Sequence, residues 1–253
     1  MSAAGTLWLV PNALDFGVAE PAADLQQVLP LGVIRVAART GHWVVENARS
    51  ARSFLKRVGA VVPLARPIQE IAIVELPRPR KGAVGVAQDW KALLEPALQG
   101  HDLGLLSEAG LPAVADPGAA LVEAAHAQGI RVVALPGPSS LLLALAASGL
   151  NGQSFAFVGY LPVDANERAL RIRELESLAR RLDQTQLMIE TPYRNPALLA
   201  ALLAHLQPAT RLSVSCGLTL AREINRCDSV AGWRRHPPAL PTDVPAVFAL
   251  LAR

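Results

Sequence analysis

Two stretches of this chain break an apolar run in the same abrupt way, and that break constrains the fold more than any other feature. Leu103-Gly-Leu-Leu-Ser-Glu-Ala-Gly-Leu-Pro-Ala-Val-Ala-Asp-Pro-Gly118 is the first, and Val132-Val-Ala-Leu-Pro-Gly-Pro-Ser-Ser140 the second. Each apolar run stops at Gly, Pro, Ser or acidic residues and then leads into an Ala/Leu-rich helical segment. Parallel strands look like this where their carboxyl ends open onto a crevice, and ligands bind at such ends. An α/β fold is the expectation.

The 253 residues, 51% of them hydrophobic, can bury a substantial core as one large α/β domain or two smaller ones. A membrane span is not expected, because no stretch of the roughly 18 residues needed is free of breakers. The longest candidate, residues 132–150, is interrupted by Pro136, Gly137, Pro138 and two serines. The start, Met1-Ser-Ala-Ala-Gly-Thr, lacks a basic segment and runs into a strand-like Leu7-Trp-Leu-Val10, so no signal peptide is expected and a cytosolic protein is the default. Cys216 and Cys227 are too few and too far apart for a zinc or redox motif, and the five histidines form no metal-ligand pattern. They read as ordinary reduced core cysteines, and no metal is predicted.

Strands are expected at residues 6–10, 33–37, 43–46, 103–106 and 130–135, with helices near 47–58, 89–98, 118–128 and 139–148. Leu150-Asn-Gly-Gln153 is turn-rich, which places a boundary between an N-terminal α/β domain, 1–150, and a C-terminal one, 151–253. The second domain has strand signals at 155–159, 187–190, 211–216 and 247–251. Its clearest helix spans about 165–182, with a capping-box-like start at Asp164-Ala-Asn-Glu167 and an apolar stripe of Leu170, Ile172, Leu175, Leu178 and Leu182. The arginines on its other face alternate with Glu174, Glu176 and Asp183, the pattern of paired charges on a wet surface.

Net charge is only +3 but unevenly spread: from Arg35 to Lys81 ten Lys/Arg face three acidic residues, +7 there and −4 elsewhere. Such a surface attracts phosphates, making nucleic acid a candidate partner; a solvated helix face with a mobile loop explains the same run. The four tryptophans are scattered and read as core or interface residues. There is no G-x-G-x-x-G after the first strand, no Walker A sequence and no G-x-S-x-G elbow.

The two opening segments resemble the S-[DE]-A-G-x-P-x-x-[SA]-D-P-G and P-L-P-G-P-S loops of the tetrapyrrole methylase family, nearest its ribosomal RNA branch. Val44-Val-Glu-Asn-Ala-Arg-Ser-Ala-Arg-Ser-Phe-Leu-Lys56 is similar to the family's A-E-D-T-R segment, matching at Glu46 and Arg49. Phe155-Ala-Phe-Val-Gly-Tyr-Leu-Pro162 is similar to F-x-F-x-G-F-L-P, Ile189-Glu-Thr-Pro-Tyr-Arg194 to Y-E-S-P-H-R, and Leu218-Thr-Leu-Ala-Arg-Glu-Ile224 more faintly to A-R-E-L-T-K. These motifs, in order, cover nearly the whole chain. The departures are Pro11-Asn-Ala-Leu-Asp15 in place of a longer Pro-Ile-Gly-Asn-Leu loop, Asn47 and Ala48 for Asp and Thr, Leu111 for Thr or Asp, and Ala115 for Ser.

The resemblance implies a dimeric two-domain protein with S-adenosylmethionine in a cleft between the domains, and methyl transfer to RNA, with the ribose hydroxyl of ribosomal RNA as leading acceptor. The implied cofactor contacts are Pro11, Glu108, Ala109, Gly110, Val114, Ala115, Asp116, Ser139, Ser140, Glu190 and Thr191. Gly110 and Gly118 let the backbone approach a ligand, and serines at a helix start can cap or contact polar atoms. A sulfonium methyl is already activated, so catalysis is chiefly alignment and exclusion of water, with a base if a hydroxyl must lose its proton. Candidates for that part are Glu46, Arg49 and Glu190; Glu190 paired to Arg194 on the surface is an equal alternative. Arg49, Arg52 and Lys56, spaced 3 and 4 apart, would form one helical face for RNA phosphates. A small tetrapyrrole-like acceptor, and a non-catalytic member that binds cofactor or RNA, remain the other readings.

Overall fold

The computed structural model describes residues 4–15, 24–77 and 89–252. Arg78, Arg80 and Lys81 of the basic run, and the first three residues of the N-terminus, lie outside them. The chain divides into two compact units, Met1–Pro138 and Ser139–Arg253. The division falls ahead of the Asn151-Gly152 turn because the helix Ser140–Ser148 packs on strands of the second unit.

Unit 1 contains β1 (Thr6–Val10), α1 (Leu31–Arg39), β2 (His42–Val45), α2 (Ala48–Val61), β3 (Ala72–Glu75), α3 (Trp90–Leu98), β4 (Leu103–Leu106), α4 (Ala119–Ala127) and β5 (Arg131–Ala134). Its sheet is parallel throughout, in the order β3-β2-β4-β1-β5. Both faces are covered, so the central strands are apolar on both. Leu7, Val44, Leu103 and Leu105 pack with Leu94 and Leu121 of α3 and α4. Val10, Trp43, Val45 and Leu106 pack with Ile34 of α1 and Phe54 of α2. Alternation along β2 and β4 sends neighbouring residues to opposite layers. Gly104 is the gap in that pattern: it pairs with Trp8 and Trp43 on either side, and a Cβ there would lie 2.6 Å from the Trp43 ring. An indole occupies the space a side chain would take.

Residues 33–37, expected as a strand, are helical. Pro30 sits at the N-cap with φ −57°, and Val33, Ile34, Ala37 and Ala38 are buried while Arg35 and Arg39 are exposed. That burial follows the helical period, which the β-branched content of a five-residue window concealed.

Unit 2 contains α5 (Ser140–Ser148), β6 (Phe155–Phe157), α6 (Ala165–Leu182), β7 (Thr185–Glu190), α7 (Asn195–His205), β8 (Arg211–Cys216), β9 (Ile224–Ser229), α8 (Val230–Arg235) and β10 (Ala246–Leu251). The sheet order is β6-β7-β10-β8-β9, with β6 parallel to β7 and the other pairs antiparallel. The Asp164 carboxylate caps α6 by accepting from the N–H groups of Asn166 and Glu167, and the helix runs over the residues its sequence indicated. Its buried face differs from the expected stripe: Ile172, Leu175 and Ala179 are covered, whereas Leu170 is 64% exposed. Glu176 leaves the wet face altogether. It is 5% exposed and accepts from the Gln207 N–H at 2.8 Å and from the Thr210 hydroxyl. Cys216 is buried, which pushes its thiol up to about 11, while Cys227 is only half-buried; both are free.

Candidate functional site at the strand ends of unit 1

The carboxyl ends of β1, β2 and β4 carry short polar loops that are tied to one another. Main-chain groups of Asn12, just past β1, exchange hydrogen bonds with Gly110, just past β4, at 2.9 and 3.1 Å. The Asn12 amide nitrogen donates to the Glu108 carbonyl at 2.9 Å, and its oxygen accepts from the Ala13 N–H. Pro11 is buried beside Gly137 of the loop after β5, where a Cβ would come within 2.3 Å of the Pro11 side chain. None of the described residues of the β1 loop has positive φ. The glycine missing there relative to the family pattern is therefore not required by the backbone.

The β4 loop is the irregular one. Gly110, Ala113, Ala115 and Gly118 have φ of +67°, +65°, +62° and +128°. The two alanines are in a region L-residues avoid at about 1 kcal/mol or more each, which is backbone strain concentrated in one loop. Val114 and Ala115 at its crest are exposed, and Ala109 is buried.

Three carboxylates converge below that crest. Glu46, following β2, accepts from the Glu108 N–H at 3.1 Å. Asp116 is pushed up to about 7, chiefly by burial and by the negative charge of Glu46, against a hydrogen bond from Ser107, with Glu108 adding to the rise. A carboxyl held this way suits a cationic group or a shared proton. Among the described residues no cluster of three or more His, Cys, Asp or Glu is arranged to hold a metal.

α2 borders this end of the sheet. Asn47 accepts from the N–H groups of Arg49 and Ser50, and Glu75 accepts from Ala48 at 2.7 Å. The asparagine standing where the family has aspartate thus caps the helix, a role either residue fills. Two adjacent stripes follow along α2. Arg49, Arg52 and Lys56 are all exposed and share the solvent face. Ser50, Ser53, Phe54 and Arg57 form the next stripe and line a cavity of about 120 Å³ with Asn12, Asp15 and Glu108. Arg57 bridges to Asp15 at 2.9 Å, with Asp15 almost wholly buried. Sequence reasoning missed Asn12, Ser107 and this second stripe. The polar Pro-Asn step directly after an apolar strand was the available signal for Asn12, whereas nothing in the sequence links Asp15 to Arg57.

The remaining expected contacts belong to unit 2. Ser139 is the buried N-cap residue of α5, making no side-chain cap hydrogen bond, and Ser140 begins the helix. Glu190, at the end of β7, is 2% exposed. One of its oxygens accepts from the Thr191 N–H at 2.8 Å and from its hydroxyl at 3.2 Å, and the other lies 3.0 Å from the Arg194 guanidinium. The Arg194 partnership anticipated from sequence is present, but in the interior and not on the surface.

The profile of the Tetrapyrrole (Corrin/Porphyrin) Methylases matches residues 44–227, from β2 through the strained loop to β9. The chain belongs to the tetrapyrrole methylases. Among other members it is 37% identical over 147 residues to the protein named ribosomal RNA small subunit methyltransferase I from Mesorhizobium japonicum, covering 58% of this chain and 49% of that one. To the Halalkalibacterium halodurans protein of the same name it is 30% identical over 190 residues, 75% and 56% of the two chains. The matches thus span about half the length of these relatives. A crystal structure of the methyltransferase CobJ shares the fold, with a TM-score of 0.58 at 17% identity over 99% of this chain and 95% of that one. Among the described residues of this tetrapyrrole methylase, no helix is long and apolar enough to cross a membrane.

Proposed function

We propose that this tetrapyrrole methylase transfers a methyl group from S-adenosylmethionine to RNA, with a ribose hydroxyl of ribosomal RNA as acceptor. The observation that carries the reading is the identity, 37% and 30%, to proteins named ribosomal RNA small subunit methyltransferase I, in a chain whose strained β4 loop lies at the ligand-binding end of a parallel sheet.

The residues present fit such a donor. Positive φ at Gly110, Ala113 and Ala115 gives the β4 loop an irregular course, and Glu108, Ala109, Gly110, Val114 and Ala115 along it are the proposed donor contacts, with Pro11 in the neighbouring loop. The raised carboxyl of Asp116 marks a place that a cationic group would stabilise. Within unit 2, Ser139, Ser140, Glu190 and Thr191 are proposed donor contacts in their own right, with Glu190 acting through Thr191, which it holds.

When bound, S-adenosylmethionine supplies an already activated methyl group. The chain's part is then to orient the acceptor and exclude water. For the acceptor proton, Glu46 is the best supported of the three candidates: it is the carboxylate that Asp116 faces, and it is held by the Glu108 N–H. The Glu46 charge is one of the causes that raise the Asp116 carboxyl, so the two groups act on one another at this end of the sheet. Arg49 stands on the solvent stripe of α2 and Glu190 is committed to Arg194 and Thr191. Homodimer formation is supported by Phe155 and Phe157, 42% and 37% exposed on the edge strand β6; a ribosomal acceptor places the work in the cytoplasm.

The test is transfer of labelled methyl from S-adenosylmethionine by the purified chain to small-subunit ribosomal RNA from a strain lacking it. Label in the RNA is expected. Label in a tetrapyrrole instead would make the small-metabolite reading the correct one, and binding of S-adenosylmethionine with transfer to neither would identify a non-catalytic member.

A further inference from the structure

We infer that the cavity beneath α2 in unit 1 receives a ribose–phosphate unit of an RNA strand: the sugar enters between Ser53, Phe54 and Glu108, and flanking phosphates lie on the ridge of Arg49, Arg52 and Lys56. The inference rests on the RNA methyltransferase reading and gives it an acceptor subsite, which adjoins at Glu108 the loop proposed to wrap the methyl donor.

Size is the first argument. The cavity of about 120 Å³ is far larger than a single water needs, and it admits part of a sugar ring from its open side. Lining chemistry is the second. The Ser53 hydroxyl is on an exposed position of α2, the Glu108 side chain borders the cavity, and Phe54 offers an apolar wall. Arg57 is neutralised by Asp15 at 2.9 Å, so with Glu108 the formal charge of the lining is −1. A bare phosphate is disfavoured by that charge. A polyhydroxylated ring is not, since it has hydroxyls to donate and accept and an apolar face to cover.

The third argument is what lies one stripe over. Arg49, Arg52 and Lys56 are exposed, at the spacing that aligns them along the helix, immediately beside Ser53 on the α2 surface. Phosphates therefore find cations at the rim, and sugars find hydroxyl partners within, which is how a sugar–phosphate backbone alternates. The same cavity wall, Glu108, donates its N–H to Glu46 and adds to the charge that raises Asp116, so the cavity adjoins the proposed chemistry. The floor is preorganised: the Asn12 amide is fixed by the Glu108 carbonyl and the Ala13 N–H.

Ser53→Leu tests this, because an exposed helix position accepts leucine while its side chain fills the cavity. Binding of small-subunit ribosomal RNA to the full chain is titrated at several salt concentrations, with S-adenosylhomocysteine affinity measured in parallel. The variant is expected to bind RNA at least tenfold more weakly, to raise KM for RNA with kcat within twofold, and to keep its S-adenosylhomocysteine affinity. Arg49→Ala with Arg52→Ala and Lys56→Ala is expected to flatten the log–log salt slope by about 0.7 to 0.9 for each phosphate that is no longer neutralised. Wild-type RNA affinity in Ser53→Leu, or no RNA binding by the unaltered chain, overturns the proposal; so does loss of S-adenosylhomocysteine binding in Ser53→Leu, which would assign the cavity to the methyl donor. A chain that binds RNA through this cavity yet transfers no methyl group contradicts the methyltransferase reading and leaves the subsite standing.

Discussion

Apart from Asp15, which Arg57 pairs, the half-buried carboxylates at the strand ends of unit 1 are treated differently from the buried carboxylates of unit 2. In unit 2 these groups meet partners that favour their charge or fill their lone pairs. Glu190 faces Arg194 and Thr191, and Glu176 accepts from Gln207 and Thr210. In unit 1 Asp116 is placed beside Glu46 and Glu108, with Ser107 as its favourable neighbour, and its carboxyl rises to about 7. Satisfied buried charges hold a fold, whereas carboxylates crowded at the ends of parallel strands are kept at a cost that a ligand can offset.

The largest expected effect is at the satisfied end of this comparison. Glu190→Ala leaves the largely buried Arg194 without its counter-charge and should cost about 3 kcal/mol in urea unfolding; a loss below about 1 kcal/mol would show that the pair contributes little to unit 2. Next, Gly104→Ala pushes a methyl group into the Trp43 ring and should cost about 2 kcal/mol. Unchanged stability would mean that the indole moves aside freely and that unit 1 is looser than its packing indicates.

Asp116→Asn reverses the sign. The folded protein holds the Asp116 proton up to about pH 7 while the unfolded chain releases it near 3.8, so the folded state binds more protons across that window and stability falls as pH rises through it. Replacing the carboxyl removes the fall. The variant should match wild type near pH 4 and exceed it at pH 8, on the order of 1 kcal/mol after allowance for solvent screening. An equal stability difference at both pH values would remove Asp116 from the crowded cluster. Smallest is Ala115→Gly: relief of φ +62° outweighs the added unfolded-state entropy by about 0.5 kcal/mol, read as a small rise in Tm.

Much of this was legible in the sequence wherever one local pattern dictates one structure. The apolar runs ending in Gly and Pro at residues 107–118 and 136–140 marked two strand ends, and Asp164 with Glu167 marked the start of α6. What escaped depended on partners distant in the chain. The segment at 33–37 was ambiguous because Val33, Ile34, Val36 and Ala37 fit either period until the packing of α1 on α2 decided it. Glu176 looked like its solvated neighbours because Thr210 is 34 residues away. The cavity-facing stripe of α2 carries serines, which attract less notice than the arginines one position over.

The claim that the crowded carboxylates of unit 1 exist for the methyl donor is tested most directly by calorimetric titration of S-adenosylmethionine into the wild type and Asp116→Asn at pH 8. The account predicts binding by the wild type and at least tenfold weaker binding by the variant, although the variant is the more stable protein. Equal affinities in two folded proteins would contradict it.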